Sequence, residues 1–337
     1  MIDHQLSATV PDAPAIDGLT FRMYLDEADL PALLEVMNAA EVADRTFEIH
    51  TLDAGRNWLA NLNDFDPSRD LLLAEVGGRV VAASHVLFSV RDDIRMFDTY
   101  GWVHPDWRRR GLGRALLHWG QARQRMRSAE QLAAGDDRPG LLGSWTVETS
   151  PGAVRILLDD GYQPVRWFFE MTRPDLDDLP VVALPDGLEL RPATDAIARQ
   201  VLAADAEAFK DHWGAHAMTE ADVRRMLGDP DSDLSLWKVA WAGDEVAGSV
   251  LPIIFPNDNA VQGIQRGWLE RVSVRRPWRR RGVARALIAT ALHELRERGM
   301  TSASLGVDSE NGTGALGLYE GLGFRPDKRF AAYRRDL

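Results

Sequence analysis

Fifteen residues, Val103-His-Pro-Asp-Trp-Arg-Arg-Arg-Gly-Leu-Gly-Arg-Ala-Leu-Leu117, return in near copy 171 residues later as Val274-Arg-Arg-Pro-Trp-Arg-Arg-Arg-Gly-Val-Ala-Arg-Ala-Leu-Ile288. The chain must therefore adopt a fold that can be built twice. In each copy a short apolar strand enters an Arg/Gly turn, and the turn opens an amphipathic helix whose first N–H groups have no acceptor within the helix. Such a turn suits an anion of pyrophosphate type. In a chain of 337 residues, a period near half the length predicts two similar domains.

The period extends beyond the turns. Gly18-Leu-Thr-Phe-Arg22 resembles Gly187-Leu-Glu-Leu-Arg191, each an alternating strand followed by an Asp/Ala/Leu-rich helical stretch. Strand-turn-strand patterns then follow around Gly77-Gly78 and Gly243-Asp244, which read as hairpin turns. The helices after the two Arg/Gly turns are expected over about Leu112–Arg127 and Val283–Arg298. Each half returns to a strand, Trp145–Glu148 or Ser302–Val307, and closes with a helix and a Gly-aromatic pair, Gly161-Tyr162 or Gly323-Phe324. The Pro- and acid-rich stretch from Pro174 to Gly187 is the expected boundary between domains 1–175 and 183–337.

Charge and composition exclude several classes. Residues 1–175 carry 18 basic and 27 acidic side chains, and residues 176–337 carry 21 and 24. This acidic balance argues against general binding to nucleic acid or an anionic membrane, which requires a basic surface and not merely local arginine clusters. No apolar run reaches the roughly 18 residues of a membrane span, and the first residues lack the pattern of a secretory signal. Cytoplasmic residence is expected. The cysteine count is zero, so disulfides, thiolate nucleophiles and cysteine-bound metals are excluded. The eight histidines show no His-x-x-x-His or Glu/His cluster, and no metal is assigned.

Strand, Arg-x-x-Gly-x-Gly/Ala turn, helix, strand, and a helix ending Leu-Tyr-Glu-x-Leu-Gly-Phe together resemble the GNAT (Gcn5-related N-acetyltransferase) superfamily, in two tandem copies. The resemblance covers nearly the whole chain and is closer in the C-terminal half. It implies an α/β class with a mixed α+β sheet. Each domain would have a central, mostly antiparallel sheet flanked by helices, with a splayed coenzyme-binding strand pair. It also implies acetyl-CoA as acyl donor, a small-molecule amine as acceptor, and a monomer or homodimer.

In the C-terminal turn, Arg279, Gly282 and Ala284 match the family's pyrophosphate loop. With Arg280, Arg281 and Val283, and with Val272, Ser273 and Val274 on the preceding strand, they form the expected coenzyme cradle. Small residues admit the phosphates to the backbone, and the N–H groups supply the attraction. Arginine at a helix N-terminus is disfavoured by the dipole, so three in a row require an anionic partner. The second cradle would consist of Val103, Arg108, Arg109, Arg110, Gly111, Leu112 and Gly113.

Transfer to an ammonium acceptor requires a base. Glu270 lies in the apolar strand Gly267-Trp-Leu-Glu-Arg-Val-Ser-Val274, twelve residues ahead of Gly282, at the spacing where the resemblance implies a general base. A salt bridge to Arg271 or Arg266 is the alternative role. Tyr319 matches the family tyrosine that faces the departing sulfur, although a helix tyrosine also serves as a core residue. Asn311 resembles the asparagine that helps to hold the coenzyme, and can equally cap a helix. In Phe209-Lys-Asp-His-Trp-Gly214, residues Asp211, His212 and Trp213 are candidates for contact with the acceptor amine, or else form a packed loop.

The halves are not equivalent. Stepping back 171 residues from Glu270 reaches Thr99, and aligning the Gly-aromatic pairs places Leu157 opposite Tyr319. The N-terminal copy lacks both groups, so catalysis is expected in the C-terminal domain, with a catalytically degenerate N-terminal domain kept for architecture, coenzyme binding or shaping the acceptor cleft. The alternative from another class is a non-catalytic acyl-CoA-binding sensor or partner-binding protein. A P-loop nucleotide site is excluded because no Gly-Lys-Ser/Thr follows either turn.

Overall fold

The two near copies fold into two compact units, Met1–Val165 with Ala331–Leu337, and Arg166–Phe330. The computed structural model describes residues 8–310, 312 and 314–337. In the N-terminal unit the order is β1 (Leu19–Met23), α1 (Leu30–Asp44), α2 (Leu52–Ala60), α3 (Pro67–Asp70), β2 (Leu71–Val76), β3 (Arg79–Arg91), β4 (Ile94–Val103), α4 (Leu112–Ala133), β5 (Gly140–Val147), α5 (Pro151–Asp159) and the start of β6 (Gln163–Arg173). The C-terminal unit has the remainder of β6, then β7 (Glu189–Pro192), α6 (Asp195–Phe209), α7 (Glu220–Leu227), β8 (Lys238–Ala242), β9 (Glu245–Ile254), α8 (Pro256–Gln262), β10 (Arg266–Val274), α9 (Val283–Glu297), β11 (Ser302–Asp308), α10 (Ala315–Glu320) and the first half of β12 (Arg325–Asp336).

Each unit carries one mixed sheet. The order is β1-β2-β3-β4-β5 in one and β7-β8-β9-β10-β11-β6 in the other. Every neighbouring pair in these runs is antiparallel except β4–β5 and β10–β11, which are parallel. Helices cover both faces, which explains strands that read as continuous apolar runs. Leu71 and Leu73 pack with Leu30, Leu33 and Met37 of α1, whereas Leu72 and Ala74 pack with Leu112, Leu116 and Trp119 of α4. In the other unit Val250 joins the cluster of Leu287, Ala291 and Leu295 on α9, and its neighbour Leu251 joins Val201 and Leu202 of α6.

The parallel pairs part early. β4 pairs with β5 only from Arg95 to Asp98, and β10 with β11 only from Arg266 to Trp268. Beyond those points the facing edges diverge, leaving backbone groups of Glu270–Val274 and Thr99–Val103 without a ladder partner on that side. This is the splayed pair expected from the resemblance.

The stretch at 174–187 packs against the C-terminal unit. Leu176 is buried in its core, Arg173 donates to the carbonyls of Asp175 and Asp178, and Arg296 donates to that of Asp177. α4 runs to Ala133, six residues past its expected end, with Ser128 the one buried residue beyond Arg127.

One glycine shows how tightly α9 lies on β10. A Cβ on Gly267 would meet Leu295 Cδ2 at 2.4 Å and Cγ at 3.0 Å, whereas one on Gly306 would meet nothing within 4 Å. Gly267→Ala is therefore expected to lower unfolding stability by about 1–3 kcal/mol through overpacking, and Gly306→Ala to stay within about 0.5 kcal/mol. Urea denaturation of the two variants checks this, and equal losses would contradict the packing described.

Candidate functional site

The two Arg/Gly turns share one conformation. Arg109 and Arg280 are left-handed, with φ 63° and 59°, and so are Gly111 and Gly282, with φ 92° and 89°. A left-handed residue bearing a side chain costs about 1–2 kcal/mol, and strain of this kind collects at binding sites. The alternation turns successive N–H groups to one side as an anion nest at the head of α4 or α9. Among the described residues, no protein acceptor bonds the N–H groups of Arg280 to Ala284.

The first arginine of each turn has a protein partner. Arg279 donates from Nε to the Val274 carbonyl at 2.8 Å, from Nη2 to the Ala208 carbonyl at 3.0 Å and from Nη1 to Asp211 at 2.6 Å. Arg108 repeats this with the carbonyls of Val103 and Ala40 and with Asp44 at 2.7 Å. These arginines tie β10 and its turn to α6, and β4 and its turn to α1. The anionic partner that the run of arginines required is thus, for Arg279, a carboxylate of the protein itself. Arg110 lies 4.6 Å over the Trp107 ring and donates to the Asp106 carbonyl. Arg280 and Arg281 are exposed, and no hydrogen bond or ion pair engages their guanidinium groups among the described residues.

The surroundings of the turns differ. The ring of Pro14 lies 3.1 Å from the place a Cβ on Gly111 would take, and nothing approaches that place within 4 Å at Gly282. Asp12 of the same N-terminal segment bonds His118 on α4 at 2.7 Å.

The larger difference lies one strand earlier. Pairing of β10 with β9 breaks between Leu269, opposite Pro252, and Arg271, opposite Leu251, so Glu270 is an extra residue in a β-bulge. β4 pairs with β3 in unbroken register from Ile94 to Val103. Counting from the turns, Arg271 corresponds to Tyr100 and Leu269 to Thr99; both of the latter face the long helix and are buried. Glu270 has no counterpart, and the match to Thr99 drawn from spacing alone is displaced by the bulge. A bulge re-aims a side chain and interrupts the ladder.

Glu270 is open to solvent. Burial raises its pKa above the ordinary value, opposed by Arg271, reinforced by Asp229 and opposed by Arg225. The alternative salt bridges are not formed, because Arg271 bonds Asp205 and Arg266 lies 3.5 Å from Glu170.

Tyr319 on α10 is buried in the main core of its unit, with its ring 6.2 Å from that of Phe324. Burial pushes its pKa up to about 12, so the phenol is protonated at neutral pH. Leu157 stands in the same place in the other unit. Tyr162 N–H donates to the Leu157 carbonyl and Phe324 N–H to that of Tyr319, both at 3.0 Å. Asn311 lies outside the described residues.

The loop after α6 is largely engaged within the protein. Asp211 bonds both Arg276 and Arg279, and those hydrogen bonds hold its carboxyl far below the usual range. His212 stacks on Phe209 at 4.3 Å, and burial lowers its pKa. Trp213 lies 6.0 Å from Phe168 and 5.8 Å from the Arg166 guanidinium. Arg166 in turn grips Asp308 through two bonds of 2.9 Å. Among the described residues no group of three or more His, Asp or Glu is placed to hold a metal ion.

At the level of Leu251 and Arg271 the N-terminal unit carries His85 and Tyr100. The rings of Trp58, Phe65, Tyr100 and Trp102 lie 5.0–6.4 Å from that of His85. Burial lowers the His85 pKa to about 3, so the cluster is neutral and packed.

Sequence reasoning missed the bulge and the Asp205–Arg271 pair. A signal for the pair existed, since the buried stripe of α6, Ala198, Val201, Leu202, Asp205 and Ala208, contains one acid.

Comparison with known proteins accords with this geometry. The model of the acetyltransferase (GNAT) family matches residues 33–136 and 198–324, one stretch in each unit. A mycothiol acetyltransferase from Salinispora tropica is 30% identical, with 95% of this chain and 96% of the relative covered; that of Salinispora arenicola is 29% identical over 98% and 100%. The crystal structure of a GCN5-related N-acetyltransferase from Sphaerobacter thermophilus is similar with TM-score 0.67 and 27% identity, covering 95% of this chain and 96% of that one. A tandem GNAT protein from the clavulanic acid biosynthesis pathway shares the fold, with TM-score 0.63 and 20% identity over 94% and 98%.

The contacts separate two kinds of arginine. Arg279→Ala should lower stability by about 1–2 kcal/mol, the scale of charged hydrogen bonds in a part-exposed site. The double variant Arg280→Ala/Arg281→Ala should leave the melting temperature unchanged and weaken acetyl-CoA binding roughly tenfold at low salt, with a smaller loss at high salt. Thermal melts and titration calorimetry decide this; wild-type affinity in the double variant would contradict it.

Proposed function

The chain belongs to the acetyltransferase (GNAT) family, and from that premise we propose that its C-terminal unit transfers the acetyl group of acetyl-CoA to a primary amine of a small molecule. The observation that carries the choice of unit is the bulge at Glu270, present in β10 and absent from β4. The N-terminal unit, with its aromatic packing around His85, serves an architectural role.

The acyl donor supplies a thioester carbonyl. Free N–H groups of the nest at Arg280–Ala284 bind its pyrophosphate, and backbone groups on the splayed edge at Val272–Val274 orient the arm that carries the thioester. Glu270, as carboxylate, takes a proton from the ammonium acceptor, directly or through one water. The amine lone pair then attacks the carbonyl carbon, the C–S bond breaks, and Tyr319 gives a proton or a hydrogen bond to the departing thiolate. The chain has no cysteine, so no enzyme thioester forms, which supports direct transfer within a ternary complex.

The raised pKa makes Glu270 a stronger base than an ordinary glutamate, and Tyr319, protonated at neutral pH, can donate a hydrogen bond to the departing sulfur. The relatives' name, mycothiol acetyltransferase, puts amines related to mycothiol first among the acceptors to test, beside amino sugars, polyamines and amino acids.

Because the base works deprotonated, turnover should rise with pH through the Glu270 pKa, and that limb should lie above the ordinary glutamate range. Glu270→Gln should lower kcat about a hundredfold or more, and Tyr319→Phe about tenfold, with acetyl-CoA affinity kept in both. Steady-state rates across the amine panel and calorimetric titration check this. Full activity in both variants contradicts the assigned roles, and tight acetyl-CoA binding without turnover of any amine favours a sensor.

A further inference from the structure

Asp205 occupies a position on the buried stripe of α6 where every other residue is apolar, and its side chain is wholly inaccessible to solvent. It accepts a bond from Nε of Arg271, the residue next to the bulge. The Arg271 guanidinium also lies 4.2 Å over the Phe209 ring. The second Asp205 oxygen is buried without a hydrogen-bond partner. An ion pair in such a place is not a stabilising choice: leucine-like residues of similar volume would serve the core as well or better.

The N-terminal unit makes the apolar choice. Leu33, Val36, Met37 and Ala40 form the buried stripe of α1, Tyr100 stands at the level of Arg271, and the register of β4 is unbroken. Ion pair and bulge occur together in one unit and are absent together in the other. α6 also ends next to Asp211, which holds Arg276 and Arg279. One helix thus grips the coenzyme strand at the bulge and again at the turn.

We propose that Asp205 and Arg271 are positioning residues for acetyl transfer, holding the bulge that directs the Glu270 carboxylate. This rests on the reading of Glu270 as the base. The charged groups around Glu270 are Arg271 on its own strand, Arg225 on α7 and Asp229 beyond it. Those around the pair are His212, stacked on Phe209, and the Ser273 hydroxyl. His212 is neutral at pH 7, because burial lowers its pKa. Arg271 therefore stabilises the charged form of Glu270, and Asp205 moderates that effect.

The test is the pH dependence of kcat/KM in the full chain, with acetyl-CoA affinity and melting temperature measured alongside. Four variants are compared with the wild type: Arg271→Leu, Asp205→Asn, the double Asp205→Leu/Arg271→Leu, and Glu270→Gln. Arg271→Leu should move the acidic limb to higher pH by up to about one unit, and Asp205→Asn should move it lower, opposite signs that general loosening of the fold would not produce. The apolar double variant should keep its melting temperature and acetyl-CoA affinity and lose at least tenfold in kcat. A double variant with wild-type kcat and an unmoved limb overturns the proposal. An inactive Glu270→Gln with unmoved limbs in both single variants overturns it while sparing the base; an active Glu270→Gln removes the base and the proposal together.

Discussion

The divergence of β10 from β11 is the constraint on which the C-terminal unit depends. A parallel ladder continued to Val274 would satisfy every backbone group and leave nothing for a ligand. The ladder stops at Trp268, and two residues later an extra residue breaks the pairing on the opposite edge as well. The strand is then held by its ends: β9 on one side, α9 packed through Gly267 against Leu295, and arginine–carboxylate ties to α6. Rigid elements thus present unpaired N–H groups and one carboxylate, the preorganisation that acyl transfer requires.

The N-terminal unit shows what the same frame does without the bulge. Its strands part after Asp98, its turn has the same left-handed residues, and its first arginine reaches back to α1 as Arg279 does to α6. Yet the register of β4 is regular, leucine stands where the other unit has Tyr319, and aromatic rings enclose His85. Both copies share the Arg/Gly turn, whose geometry also organises the fold. The bulge at Glu270, the Asp205–Arg271 pair and the buried Tyr319 are found in one copy.

Much of this was legible in the sequence. The repeated Arg/Gly turn, the hairpin glycines and the Gly-aromatic pairs are local signals with fixed spacing, and each marks an element in both units. The direction of side chains was less legible. Arg279 reads as a phosphate ligand because arginine beside a helix N-terminus wants an anion; that the anion is Asp211, 68 residues earlier, depends on how α6 docks. The bulge was invisible for a related reason. The turns are related by a shift of 171 residues and the hairpin glycines, Gly77 and Gly243, by a shift of 166, so one residue gained within β10 is hidden among changes in loop length. An acid on an apolar helix stripe was the one unread signal.

The central claim is that Glu270 removes a proton from the acceptor ammonium, and the rate deficit of Glu270→Gln as a function of pH tests it most directly. If Glu270 is the base, the variant depends on acceptor that has already lost its proton. The deficit should then shrink about tenfold per pH unit and vanish near the acceptor's own pKa. A deficit that stays constant from the acidic limb to that pKa would contradict the account.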